Sequence, residues 1–353
     1  MDKILVFILF LIALVSETKF NILQQLLETV SILYLIYNIL LTKINRNELY
    51  LISLFLFVSI GAFFTNTLVG FLLNFKIYLL AILTLIYFKK KLVSLKIIEI
   101  IVFLNIFILL FQVIFNIYLL PTKELGLKFE GLIDSRPLGL FFNTHMSAFV
   151  IACYFIYRSN KSKFYLNNFV GSVLIFLFSS KFVLFAFVGN FISKFKLLFR
   201  LLIIFTVVIF FSMIFLISND YLYIFPISGR FILQQLFDIS SYKALINPFP
   251  QDYNNYLELQ KIAYKSDMID GLTGNEIGNE IQLFTLYIEG GFLLATMYLF
   301  YFLKSINSFK VFLFFSLIHY GFVTTPFIIF LLINFQNQIV LDSNETNRNL
   351  FRN

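Results

Sequence analysis

Residues 97–120 read IIEIIVFLNIFILLFQVIFNIYLL, an apolar run carrying one charge, Glu99. A helix of about 20 such residues spans the hydrocarbon core of a bilayer. A membrane β-barrel would instead show apolar and polar residues in alternation. Outward from this stretch, similar runs recur in both directions, and the chain divides into twelve expected spans. These are 4–16, 20–41, 49–64, 67–88, 97–120, 138–157, 164–179, 181–193, 201–218, 280–303, 310–323 and 326–341. The expected fold is an all-α, polytopic transmembrane helical bundle of about 12 spans (10–12), capped by a large outward-facing loop.

Composition points the same way. Apolar residues make up 60% of the 353-residue chain and charged residues 13%, and mean hydropathy is +0.89. A soluble domain carries about 25% charged residues. The net charge of +8 does not indicate nucleic acid, because the basic residues fall in short clusters between apolar runs. The single cysteine, Cys153, lies inside a span, which leaves no internal disulfide and no CxxC redox or metal site. Met1–Val15 resembles a signal peptide, but Ser16-Glu17-Thr18 offers no small-residue cleavage site, so it is expected to stay as the first span.

With the N-terminus inside, the inner connectors collect Lys43 and Arg46, Lys89 to Lys91 and Lys96, then Arg158, Lys161 and Lys163. Lys194, Lys196, Arg200, Lys304, Lys310, Arg348 and Arg352 fall on the same side. That is most of the 27 Lys and Arg, the sign expected of cytoplasmic loops. Residues 1–353 read as one integral membrane domain. Residues 121–136 form a first outer connector and 219–279 the large outer loop, both too short for a substantial separate domain.

Candidate chemistry gathers on the outer side. The first connector ends in Arg136-Pro-Leu-Gly139-Leu-Phe-Phe-Asn143-Thr-His145, where polar groups interrupt the start of a span. Such groups are costly at membrane depth unless they face a cavity or a partner. Arg136 taken alone would also suit a residue snorkelling to lipid headgroups. Ser180-Lys181 separates two short runs and sets a cation on the side where the charge rule expects none. Within the large loop stand Gly229-Arg230 and the turn signal Asn247-Pro-Phe-Pro250. Asp267, Asp270, Glu276 and Glu280 follow, and then Glu289-Gly290-Gly291 just inside the next span. Arg136, Lys181 and Arg230 are thus three outward cations, and guanidinium forks suit phosphate oxygens. From the residues alone, the reading is an anion site at the outer membrane surface beneath a cap.

In these residues the chain resembles the bacterial O-antigen polymerase and O-antigen ligase family. The family's Arg-x-x-Gly-x-Phe-x-Asn segment is matched by Arg136, Gly139, Phe141 and Asn143. Its Ser-Arg element is matched by Ser180-Lys181, which keeps the charge but not the fork. Gly229-Arg230 opens the large loop, and Asn279, Glu289 and Gly291 match the elements after it. The histidine that ligases carry at the end of the loop is replaced by Gly278, which favours polymerase over ligase.

The resemblance implies transfer between polyprenyl-diphosphate-linked oligosaccharides at the periplasmic face of the bacterial inner membrane, with both termini cytoplasmic. Arg136 and Arg230 are then expected to bind the pyrophosphate, Lys181 to assist, and Asn143, Gly139 and Asn279 to support the site. Glu280 is the first candidate for the general base and His145 the second. No cofactor or metal is expected. Beyond the lipid-linked substrate and membrane lipids, a chain-length regulator and a flippase are the implied partners. A ligase acting on lipid A core, and a flippase or other transporter of lipid-linked oligosaccharide, are the alternatives.

Overall fold

The computed structural model describes residues 2–15, 21–65, 68–115, 137–141, 143–178, 180–201, 203–204, 246–250, 282–317 and 322–350. Among the described residues every regular element is a helix. In order they are α1 (Asp2–Val15), α2 (Asn21–Leu40), α3 (Arg46–Thr65), α4 (Leu68–Lys90), α5 (Leu95–Phe115), α6 (Thr144–Lys161), α7 (Phe164–Leu177) and α8 (Lys181–Ile192). Further along the chain come α9 (Gln282–Ser305), a 3-10 turn (Asn307–Phe309), α10 (Lys310–Ser316) and α11 (Pro326–Leu350). Five stretches among the described residues are long and apolar enough to cross a membrane: Ile22–Leu40, Arg46–Phe63, Leu95–Phe115, Leu286–Ser305 and Pro326–Ser343. Helices α7 and α8 are apolar but shorter. Of the expected span 201–218 only residues 201 and 203–204 are described, and the connector 121–136 and all of 219–279 except 246–250 lie outside the described residues.

The bundle has a buried centre and an apolar rim. Residues 146–157 of α6 and 327–336 of α11 are buried all round, as is the 80–88 portion of α4. A helix apolar on every side belongs in such a centre. Helices α2, α3, α5 and α7 instead present Leu33, Phe57, Phe107 and Phe169 outward. Lipid is as apolar as these side chains, so association rests on close packing rather than on escape from water. Aromatic interlocking supplies much of that packing. Phe141 meets Phe10 edge-on and lies tilted against Phe327, both with centroids 5.7 Å apart. Phe149 sits against Phe312 at 4.7 Å, and Tyr157 stacks on Phe335 at 4.9 Å.

Polar contacts sort the helix ends into two groups. At one end Tyr87 donates to Asp2 (2.5 Å), and Lys90 donates to Glu48 (2.6 Å) and to the Lys43 carbonyl (2.8 Å). Lys161 pairs there with Asp342, and Asn334 holds the Val93 backbone through both its N–H and its carbonyl. Residues 137–147, 180–181, 246–250 and 283–292 belong to the other end. The basic connectors therefore gather together, opposite the polar motifs.

Candidate functional site

Helix α6 begins six residues later than the sequence pattern suggests, and Asn143 is the reason. Its side chain accepts from the backbone N–H of His145 (2.9 Å) and of Met146 (3.0 Å), a standard N-cap. The preceding residues turn instead of continuing the helix. Gly139 takes φ +69°, and its N–H donates to Gln112 on α5 (2.9 Å). A Cβ at this position would stand 2.5 Å from Ser147 Oγ and 2.7 Å from Asn105 Oδ1, so only glycine fits.

Buried amides then hold the turn in place. Asn105 accepts from Leu140 N–H (2.9 Å) and donates to the Ser147 carbonyl (3.0 Å). Ser147 Oγ donates to the Leu138 carbonyl (2.7 Å), and Thr144 Oγ1 to that of Pro137 (3.1 Å). Non-helical backbone at membrane depth needs such partners, because lipid supplies none. Asn105 and Gln112 were not legible as site residues. The signal that would have found them is two amides one helical face apart in an otherwise apolar run.

The cap projects His145, which is half-buried, towards α8. Its Nδ1 lies 2.8 Å from Ser180 Oγ, and Ser180 is 1% exposed. Lys181, the first residue of α8, is exposed and makes no ion pair among the described residues. Two motifs separated by 35 residues are thereby joined: Gly139, Asn143 and His145 on one side, Ser180 and Lys181 on the other. The expected pyrophosphate ligands Arg136 and Arg230, the expected base Glu280 and its neighbour Asn279 lie outside the described residues. So does His319.

A second feature stands at the same end of the bundle. Helix α9 is broken at Gly291, where φ is 69° and ψ 161°. The segment Ile246–Pro250 docks into the break, so that Phe292 N–H donates to the Asn247 carbonyl (2.7 Å). Asn247 also caps its own turn by accepting from Phe249 N–H (3.2 Å), in keeping with the turn expected there. The Phe249 ring occupies the space a side chain would need at Gly61 of α3. Gly290 likewise admits the Tyr78 hydroxyl, which donates to the Leu286 carbonyl.

Two charges within the apolar helices neutralise each other: Lys76 of α4 pairs with Glu28 of α2, which also accepts from Gln24 (2.8 Å). Glu289 is half-buried beside the break. It forms no ion pair or hydrogen bond among the described residues.

The fold thus defines an all-helical protein with several membrane-length apolar helices and polar sites at one end of the bundle. Compared with known proteins, the chain matches no family model, no curated sequence and no solved structure.

Proposed function

We propose that this protein joins polyprenyl-diphosphate-linked oligosaccharide repeat units at the outer face of a bacterial inner membrane, as a surface-polysaccharide polymerase. The observation that carries the reading is the His145–Ser180 hydrogen bond, because it sets a half-buried imidazole against the start of α8, whose first residue is Lys181. In the reaction, the hydroxyl oxygen of one lipid-linked unit bonds to the anomeric carbon of the other. The bond from that carbon to the diphosphate oxygen breaks, and the electron pair leaves with the polyprenyl diphosphate. The hydroxyl proton passes to a base, His145 or Glu280. Lys181, Arg136 and Arg230 neutralise the departing diphosphate, the term that usually matters most in such transfers.

A second reading is favoured by one observation. A discontinuous membrane helix beside an unpaired carboxylate is how transporters build substrate and ion sites. On that reading the protein flips the lipid-linked oligosaccharide.

The length distribution of surface polysaccharide in a deletion strain separates these readings. A single repeat unit on the core with no ladder supports the polymerase. Loss of all attached glycan with long lipid-linked polymer retained means ligation instead. Accumulation of single lipid-linked units on the cytoplasmic face means flipping. Within the polymerase reading, Arg136→Ala and Arg230→Ala should each abolish the ladder in a correctly inserted protein, and an unchanged ladder removes the diphosphate clamp.

A further inference from the structure

We infer that the break in α9 is a binding site for a monovalent metal cation, with the Glu289 carboxylate as its charged ligand. This goes beyond the polymerase reading and does not depend on it.

Three observations converge at the break. First, Glu289 is half-buried within a membrane-length helix and has no counter-charge among the described residues. An ionisable group in that setting is costly unless it serves a ligand. Second, the break opens the carbonyl ladder. In a continuous helix Phe292 N–H would serve the Ile288 carbonyl; here it serves Asn247 instead. The carbonyls that end the first half of α9 are the negative end of a short helix and attract positive charge. Third, the Pro248 carbonyl oxygen comes within 2.6 Å of where a Gly291 side chain would begin, and it accepts no hydrogen bond among the described residues. A carboxylate and backbone carbonyls are hard oxygen donors, the set that alkali cations prefer.

Charge selects the valence. One carboxylate neutralises one positive charge, and of the other acids in the membrane-length helices Glu28 is committed to Lys76 and Glu48 to Lys90. Among the described residues the neighbour in its field is Tyr78, whose hydroxyl sits against Gly290 and brings no positive charge. A bound ion would also bridge α9 to the docked segment 246–250, and so fasten the large loop to the bundle at its midpoint.

The test uses the purified full-length protein in lipid nanodiscs. Thermal unfolding is followed in sodium, potassium or N-methylglucamine chloride at constant ionic strength and pH. A binding ion stabilises the folded state in proportion to the logarithm of its concentration once above half-saturation. Wild type should therefore show a midpoint rising with sodium or potassium and flat with N-methylglucamine. Glu289→Gln should show no rise, whereas Glu99→Gln, at the opposite end, should keep it.

An equal rise in Glu289→Gln overturns the site, as does a wild-type midpoint that responds to pH but to neither metal ion. If Glu289→Gln does not fold, saturable binding of radiolabelled sodium or rubidium to wild type decides, and its absence overturns the proposal. Both readouts are independent of polysaccharide synthesis, so a failed ladder assay leaves this result standing, and the reverse.

Discussion

Glu48 and Glu289 sit at opposite ends of one bundle and meet opposite surroundings. Glu48 is fully buried, yet each oxygen is used: Oε2 accepts from Lys90 (2.6 Å) and from Asn45 N–H (2.9 Å), and Oε1 lies 3.4 Å from the Tyr301 hydroxyl. Lys89 reaches the same hydroxyl (3.0 Å). The network ties α3, α4 and α9 together where the basic connectors gather. Among the described residues Glu289 has no such partner. The difference separates charge used to hold helices together from charge left available to a ligand, because a buried carboxylate with complete partners has nothing left to offer.

The largest expected effect tests that distinction directly. Glu48→Ala leaves the partly buried Lys90 ammonium with the Lys43 carbonyl alone and takes the acceptor from Asn45 N–H, and breaking a buried pair from one side costs about 3–5 kcal/mol. Glu289→Gln removes a charge that meets no partner among the described residues. In cation-free buffer it should change stability by less than about 1 kcal/mol, since no donor is orphaned. Reversible unfolding in mixed micelles compares the two. Similar losses would mean that Glu289 is as structural as Glu48, and the contrast would collapse.

Next in size is the turn that precedes α6. Gly139→Ala combines a left-handed backbone with contacts too close for any Cβ, and should cost about 3 kcal/mol. Because that turn presents His145, product formation should fall with stability. A variant that unfolds normally but loses product would show that the turn serves the site more than the fold.

Most helices were legible because apolar runs of bilayer length have few other uses. The expected spans 20–41, 49–64 and 67–88 correspond to Asn21–Leu40, Arg46–Thr65 and Leu68–Lys90. The sixth was misplaced at its start. Leu138 to Phe141 are apolar enough to extend a helix, and only a cap at Asn143 with buried amides on α5 shows that they do not. The expected span 310–323 is helical over Lys310–Ser316. For the site, the pattern set Asn143, His145 and Lys181 on one expected side of the membrane but did not reveal the contact between His145 and Ser180. A hydrogen bond across 35 residues leaves no periodic trace. The break at Gly291 was visible as a glycine pair, but its occupant, Asn247-Pro-Phe-Pro250, is fixed by tertiary packing.

The Ser180 contact supplies a smaller prediction at the unpaired end. If His145 acts as the base, the Ser180 hydroxyl is a positioning group that holds the ring through Nδ1. Ser180→Ala should lower product formation about tenfold, the equivalent of one hydrogen bond. The pH profile of the rate should shift as well, and Ser180→Thr should restore both. Loss of rate without a shift in the profile would mean that the serine only packs.

The smallest effect belongs to the basic end. Lys161 and Asp342 pair at 3.1 Å with side chains 47% and 37% exposed. Their hydrogen bond holds the lysine above its ordinary range. A raised folded-state value means that the contribution is present in full at neutral pH and is lost only as pH rises through that value, so no change is expected across the neutral range. Solvent screening limits the pair to less than about 1 kcal/mol. Asp342→Asn should therefore shift the unfolding free energy by less than that, at least threefold less than Glu48→Ala at the same end. Partner number at that end would then not by itself set the cost of losing a carboxylate: Glu48 matters because it is buried, and Asp342 does not because water can take its partner's place. A loss as large as that of Glu48→Ala would show that Asp342 is shielded in the membrane-embedded protein, and would extend the structural network across to α6.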